Sequence, residues 1–204
     1  MAAAAALLVT EAGILALAGV WWWPLSVLAF LPVMVLGRAT LAGGRLDPGP
    51  LRNGIAAEER VAAELSAVEA EGYRVLHDLD IGRGNADHVV VGPSGVYVIE
   101  TKDRGGRFYP SGGRLMLNHV RADDVVGQVT ATAIVIRRRL ERDGIDVWVQ
   151  AVIASTRAKV YRSPLRVGHV TAALAEDLPE LILCRRPILD EATVAQAVDA
   201  ILRP

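Results

Sequence analysis

Asn85-Ala86-Asp87-His88-Val89-Val90-Val91-Gly92-Pro93-Ser94-Gly95-Val96-Tyr97-Val98-Ile99-Glu100-Thr101-Lys102 holds two β-branched runs, residues 86–91 and 96–102, on either side of a Gly-Pro-Ser-Gly turn. Such a pattern predicts a β-hairpin. Both runs are apolar on both faces, so the two strands belong at the centre of a sheet covered on each side. If the hairpin closes symmetrically about Pro93-Ser94, Val91 faces Val96 and Asp87 faces Glu100. Two carboxylates directly opposite in a buried sheet repel each other, and a cation between them would make the pair tolerable. Lys102 is two residues beyond Glu100, hence on the same face of the same strand. A loop of odd length would break this pairing.

Two flanking segments add polar groups to that face. Residues 55–71 read as a helix ended by Gly72, with Val61, Leu65 and Val68 on one stripe. Glu58 falls on the same stripe, the side expected to pack on the sheet, whereas Glu59 and Glu64 fall off it. An ordinary helix acid near the first turn is the plainer reading of Glu58. Residues 122–142 read as a second long helix, stopped by Gly144, with Gln128 beside Val125, Val129 and Val135 near its apolar edge. Three acids, one lysine and one glutamine at a sheet edge suit a hard divalent cation, Mg²⁺ or Mn²⁺, that retains some water. The chemistry such a set supports is metal-assisted phosphodiester hydrolysis, with Lys102 positioning or helping to deprotonate the attacking water.

The string Gly54-Ile55-Ala56-Ala57-Glu58, the Asn85-to-Gly95 segment, Val96-Tyr97-Val98-Ile99-Glu100-Thr101-Lys102 and Gln128 together resemble the NERD domain, the nuclease-related domain. That family resembles a branch of the PD-(D/E)XK nuclease superfamily. The resemblance covers about residues 54–142. It implies an α/β, restriction-endonuclease-like core: helix, three-stranded meander, helix, then strand, around a mixed central sheet. It also implies that Asp87, Glu100 and Glu58 hold Mg²⁺ or Mn²⁺, that Lys102 is catalytic, and that Glu58 and Gln128 lend polar support. The implied partner is nucleic acid, DNA ahead of RNA. Ala57 departs from the family's usual second glycine in G-x-x-G-E, which should alter helix packing rather than remove the site.

The rest of the chain says where such a domain would work. The 204 residues are 52% hydrophobic with a mean hydropathy of +0.32, too apolar for an ordinary soluble domain. The excess is concentrated in residues 1–37, whose single charge is Glu11. Residues 12–36 are uncharged, and about 20 apolar residues suffice to cross a bilayer. Trp21-Trp22-Trp23-Pro24 interrupts this stretch; one kinked span is the expected arrangement, with a short hairpin as the alternative. Arg38, Arg45 and Arg52 follow the span and no basic residue precedes it, so the domain is expected on the cytoplasmic side of the cell membrane. Residues 38–53 read as a Gly/Pro-rich linker, 54–160 as the nuclease-like domain, and 161–204 as a strand-and-helix extension packed on it.

The net charge of -1 excludes a strongly basic nucleic-acid coat. The single cysteine, Cys184, excludes a disulfide framework, and its apolar neighbours suggest a buried thiol. Only Lys102 and Lys159 are lysines. His88 would point away from Asp87 in a regular strand, which favours a core position over metal ligation. Arg137-Arg138-Arg139 with Arg142 reads as a solvated helix face, with phosphate contact as the alternative. Residues 103–117 look like loop and short edge strands, 147–154 and 167–170 like strands, and 171–177 and Glu191–Leu202 like helices. The leading functional expectation is a membrane-anchored, metal-dependent nuclease. Its rivals are a non-catalytic module that binds nucleic acid or protein at the membrane, and a membrane scaffold. Oligomeric state is not legible in the sequence.

Overall fold

A computed structural model of the chain describes residues 49–82 and 84–203. The expected membrane span and most of the expected linker lie outside these residues. Among the described residues no helix is long and apolar enough to cross a membrane. Residues 49–53, read above as linker, already belong to the first helix, α1 (Gly49–Glu69).

The strands β1 (Arg74–Asp80), β2 (Asn85–Gly92) and β3 (Gly95–Lys102) form an antiparallel meander. Helix α2 (Asp123–Arg142) then returns the chain to β7 (Val149–Ser155), which runs parallel to β3. A final hairpin, β9 (Leu165–Val167) and β10 (Val170–Leu174), completes a six-stranded mixed sheet in the order β1-β2-β3-β7-β10-β9. The last forty residues therefore contribute strands to the main sheet. The stretch expected to be helical over 171–177 is instead strand β10 followed by a short 3-10 turn, Ala175–Asp177. Its Ala-rich sequence favours helix locally, but the position beside β7 is buried on both faces, and tertiary context overrides propensity.

Helices cover both faces, as the doubly apolar strands require. Helix α2 and α4 (Glu191–Leu202) pack on one face, where Val89, Val91, Val96 and Val98 meet Val125, Val129, Ile136 and Ile201. Helix α1 and α3 (Leu178–Leu183) pack on the other, where Val61, Leu65 and Val68 meet Val90, Tyr97, Ile99 and Ile182. Arg139 is buried; it donates to the Ile201 carbonyl at 2.6 Å and the Asp80 carbonyl at 3.1 Å, tying α2 to α4 and β1. It is thus a structural clamp and neither a solvated residue nor a phosphate contact. Cys184 is exposed, contrary to expectation, because the short α3 buries only Leu178 and Ile182.

Residues 103–117, expected as edge strands, instead begin a second, four-stranded sheet. It comprises β4 (Arg107–Ser111), β5 (Arg114–Leu117), β6 (Val120–Arg121) and β8 (Lys159–Val160), in the order β6-β5-β4-β8. Phe108 and Leu115 anchor its inner face in the α2-side core.

Candidate active site

The register of the central hairpin decides what meets at its open end. Gly92 pairs with Gly95, Val91 with Val96 and His88 with Ile99, so closure is symmetric about Pro93-Ser94 as the turn sequence predicts. The turn is pinned by a buried hydroxyl cluster. Ser94 Oγ accepts from Tyr73 Oη at 2.9 Å, lies 2.8 Å from Tyr97 Oη, and donates to the Ile182 carbonyl at 2.9 Å. The Tyr73 ring lies across Gly92, where a Cβ would come within 2.0 Å of it. Slippage by one residue would turn every side chain to the other face, so this closed end holds the chemistry at the open end in place.

At that open end, alternation puts Glu100 and Lys102 on the α2 face, in line with Val96 and Val98. The β2–β3 ladder ends at His88 and Ile99, so Asp87 is not the ladder partner of Glu100 that symmetric closure predicts. It sits where the alternation of β2 breaks between Ala86 and Val89. Glu100 is 2% exposed. Lys102 Nζ donates to Glu100 Oε1 at 2.6 Å and to Gln128 Oε1, from α2, at 3.2 Å. Asp87 is half-buried, and its Oδ2 accepts from the Thr101 amide at 2.7 Å. The structure thus brings together Asp87, Glu100, Lys102 and Gln128. The glutamine, though exposed, is a partner of the lysine and more than a surface residue.

Glu58 arrives differently. Its helix packs on the opposite face of the sheet, and the side chain is exposed at the rim of the apolar stripe. Nine helical residues precede it, so it is not a first-turn acid. Its charge is nonetheless felt by Glu100, and those of Asp87 and Asp78 are felt at Glu58. It is therefore linked to the site through its charge, from a helix on the other side of the sheet.

The electrostatics are those of a crowded acidic pocket with one cation. Burial raises the pKa of Glu100; the Lys102 hydrogen bond opposes this, and Asp87 and Glu58 add to it. Burial likewise raises Asp87 against the Thr101 amide and Lys102. Glu58 is raised by burial and then by Asp87 and Asp78. Carboxylates outnumber the ammonium, and each resists ionising beside the others. A hard cation would relieve that strain, and the donors are all oxygen, so the residues fit Mg²⁺ or Mn²⁺. Among the described residues no three acidic, imidazole or thiol side chains form a ready-made cage. Mg²⁺ does not require one, since it is commonly held by one or two carboxylates with water completing its shell.

Asp78 is a participant that strand periodicity does not reveal. The β1–β2 ladder pairs His77 with His88 and Leu79 with Ala86 but omits Asp78 and Asp87 between them. Asp78 has φ +49°, rare for a non-glycine residue. This break lets Leu76 and Leu79, three residues apart, both pack on the α2-side core. Asp78 Oδ1 accepts from Asn85 Nδ2 at 2.7 Å, holding the turn between β1 and β2 beside Asp87. The available signal was the pair of acids, Asp78 and Asp80, late in a short strand that also holds Val75, Leu76 and Leu79. His88 is buried on the α1 face with its Nδ1 2.8 Å from that of His77, away from the carboxylates, as alternation predicts.

Glu58, Asp78, Asp87, Glu100, Lys102 and Gln128 all fall within residues 53–156, which match a family model described as Nuclease-related domain, NERD. That match spans just over half of the chain. Neither the comparison with curated proteins nor that with solved structures gives a match.

Proposed function

Because the chain belongs to the nuclease-related domain family, we propose that it hydrolyses phosphodiester bonds of nucleic acid with the help of Mg²⁺ or Mn²⁺, at the open end of β2 and β3. The observation that carries this reading is the bridge from Lys102 Nζ to both Glu100 and Gln128, beside the half-buried Asp87. In this reading Asp87 and Glu100 hold the metal, with Glu58 contributing from the rim. A divalent ion there would neutralise charge developing on a phosphoryl oxygen and lower the pKa of water. Glu100 and Gln128 together fix the ammonium of Lys102, so that its remaining N–H can donate a hydrogen bond that orients the attacking water or offsets charge on a phosphoryl oxygen. The Thr101 amide commits one oxygen of Asp87 to the backbone, and in this reading the other serves the metal. Sequestering two carboxylates against the α2 core limits water around them, which strengthens every charge interaction in the site.

The membrane belongs to the same proposal. The uncharged stretch over residues 12–36, followed by arginines, supports a tethered domain facing the cytoplasm. DNA is proposed ahead of RNA as substrate. Purified full-length protein in detergent should cleave labelled DNA in Mg²⁺ or Mn²⁺, and do so less well with RNA. Glu100→Ala and Lys102→Ala should each reduce the rate at least 100-fold, on the order expected when a positioned charged group is removed. Calorimetric Mn²⁺ binding should be lost in Asp87→Ala. Cleavage of equal rate in wild type and both variants would refute the catalytic assignment.

The second reading is a non-catalytic nucleic-acid- or protein-binding module, which the near-neutral balance of charge favours. Nucleic-acid binding without metal-dependent turnover in the wild type would select it.

A further inference from the structure

We propose that the outer face of the four-stranded sheet is a platform for single-stranded nucleic acid, feeding the site at the end of β3. This rests on the nucleic-acid reading above and deepens it by naming the form of the substrate and the surface that holds it. The four strands, Arg107–Ser111, Arg114–Leu117, Val120–Arg121 and Lys159–Val160, contain four cationic residues and no carboxylate. In a chain of net charge -1 that is a segregated positive surface. Arg114 and Arg121 lean toward Asp123 at the start of α2. Arg107 and Lys159, paired across β4 and β8, have no carboxylate partner among the described residues.

Alternation sorts the two faces. Phe108, Leu115 and Leu117 turn inward onto the core, which leaves Arg107, Tyr109 and Met116 outward on paired positions. Tyr161 continues β8, its amide donating to the Phe108 carbonyl at 2.9 Å. Tyr109 and Tyr161 line a cleft of about 540 Å³ together with Arg107, Asn118 and His119. Tyr161 is 44% exposed, and the Arg162 guanidinium stands 5.3 Å from its ring centroid. An exposed ring, Tyr161, beside a half-buried one, Tyr109, bordered by cations without carboxylate partners, suits bases that stack and phosphates that are neutralised. Duplex bases offer no free faces to such rings, so a single strand is the occupant that uses both.

The platform is continuous with the proposed active site. The β3–β7 ladder ends at Lys102 and Ser155, and the β4–β8 ladder resumes at Arg107 and Lys159. Four residues lie between Lys102 and Arg107, so the two are five Cα steps apart, a reach of at most about 18 Å. A strand lying on the tyrosines thus has its backbone within a few nucleotides of Lys102.

Fluorescence anisotropy of the full-length protein in detergent tests this, with labelled oligothymidylate and a labelled duplex, in chelator so that no turnover occurs. Wild type should bind the single strand more tightly than the duplex. Tyr161→Ala should weaken that binding about 5- to 150-fold, the range for loss of one stacked base, while Tyr161→Phe retains it. Arg107→Gln with Lys159→Gln should reduce the salt-dependence slope by about 1.4, for two phosphate contacts. Unchanged affinity in these variants, or tighter binding to duplex, would overturn the platform. So would a loss confined to phosphatidylserine vesicles, which would make the face a lipid-binding surface. Platform-dependent binding without any cleavage would sink the catalytic reading alone. Metal-dependent cleavage lost in Glu100→Ala, with single-strand affinity indifferent to the platform variants, would sink the platform alone.

Discussion

Replacing Lys102 by methionine isolates the electrostatic logic of the site from its chemistry. Methionine keeps most of the apolar stem, so the change removes little more than an ammonium. That ammonium is 2.6 Å from a carboxylate whose side chain is 3% exposed, while the lysine side chain is itself 18% exposed. Breaking a buried pair by removing one partner costs about 3–5 kcal/mol. The partial exposure of Lys102 sets the expectation at the lower end, about 3 kcal/mol. For a domain of this size that is roughly 6–12 °C in Tm. The cost should also depend on pH with a definite sign. Glu100 is already raised by burial, and loss of Lys102 raises it further, so the folded variant binds a proton that the unfolded chain releases. Its stability is then full below the unfolded carboxylate pKa and falls as pH rises toward the folded value, by up to about 1.4 kcal/mol per pH unit.

Urea unfolding in chelator at pH 5 and pH 8 reads both quantities. Adding Glu100→Gln to Lys102→Met removes the orphaned charge, and the double variant should recover most of the loss and its pH dependence. If Lys102→Met is no less stable than wild type at pH 8, or the double variant is as unstable as the single one with the same pH slope, the pairing argument fails.

Two further perturbations test the scaffold around the site. His88 is 3% exposed and burial lowers its pKa to about 4, so the unfolded state takes up a proton that the folded state refuses. Stability should be full above about pH 6.5 and fall by about 3 kcal/mol as pH drops to 4; His88→Phe should flatten that limb of the urea-unfolding profile measured in chelator, and an unchanged limb would refute the assignment. Gly92→Ala places a Cβ 2.0 Å from the Tyr73 ring and should lower stability by about 1–3 kcal/mol by overpacking, whereas an unaltered denaturation midpoint would mean the turn yields freely.

What the sequence made legible and what it hid follow from the range of the interactions involved. The hairpin was legible because its register depends on a four-residue turn and two β-branched runs, all local. Glu100 and Lys102 shared a face by strand period alone, and β3 is straight enough for the period to hold. Helix α4 spans Glu191–Leu202 as its pattern predicts. The second sheet was not legible, because its strands are two to five residues long. One of its pairings joins β4 to β8 across some fifty residues. Such short strands hold few hydrogen bonds of their own and gain stability only by laying Phe108 and Leu115 on a core that must already exist. Asp78 was hidden for a different reason. Its positive φ interrupts the very period by which a strand residue would be assigned to a face.

Charge segregation links the proposed site to the proposed platform. Within a near-neutral chain of charge -1, a carboxylate-rich site lies at the open end of β2 and β3, and a sheet whose strands carry no carboxylate begins a few residues after β3. A phosphate backbone drawn to Arg107 and Lys159 meets, at its next step, Asp87, Glu100 and Glu58 with one ammonium among them. Two unit charges about 5 Å apart at an effective dielectric near 20 interact by about 3 kcal/mol, so that step is unfavourable unless the pocket first gains positive charge. In the proposed reading the cation is therefore a condition for productive entry of the substrate as well as for chemistry. The basic sheet can hold a strand in its absence, but the strand reaches Lys102 only once the carboxylates are neutralised.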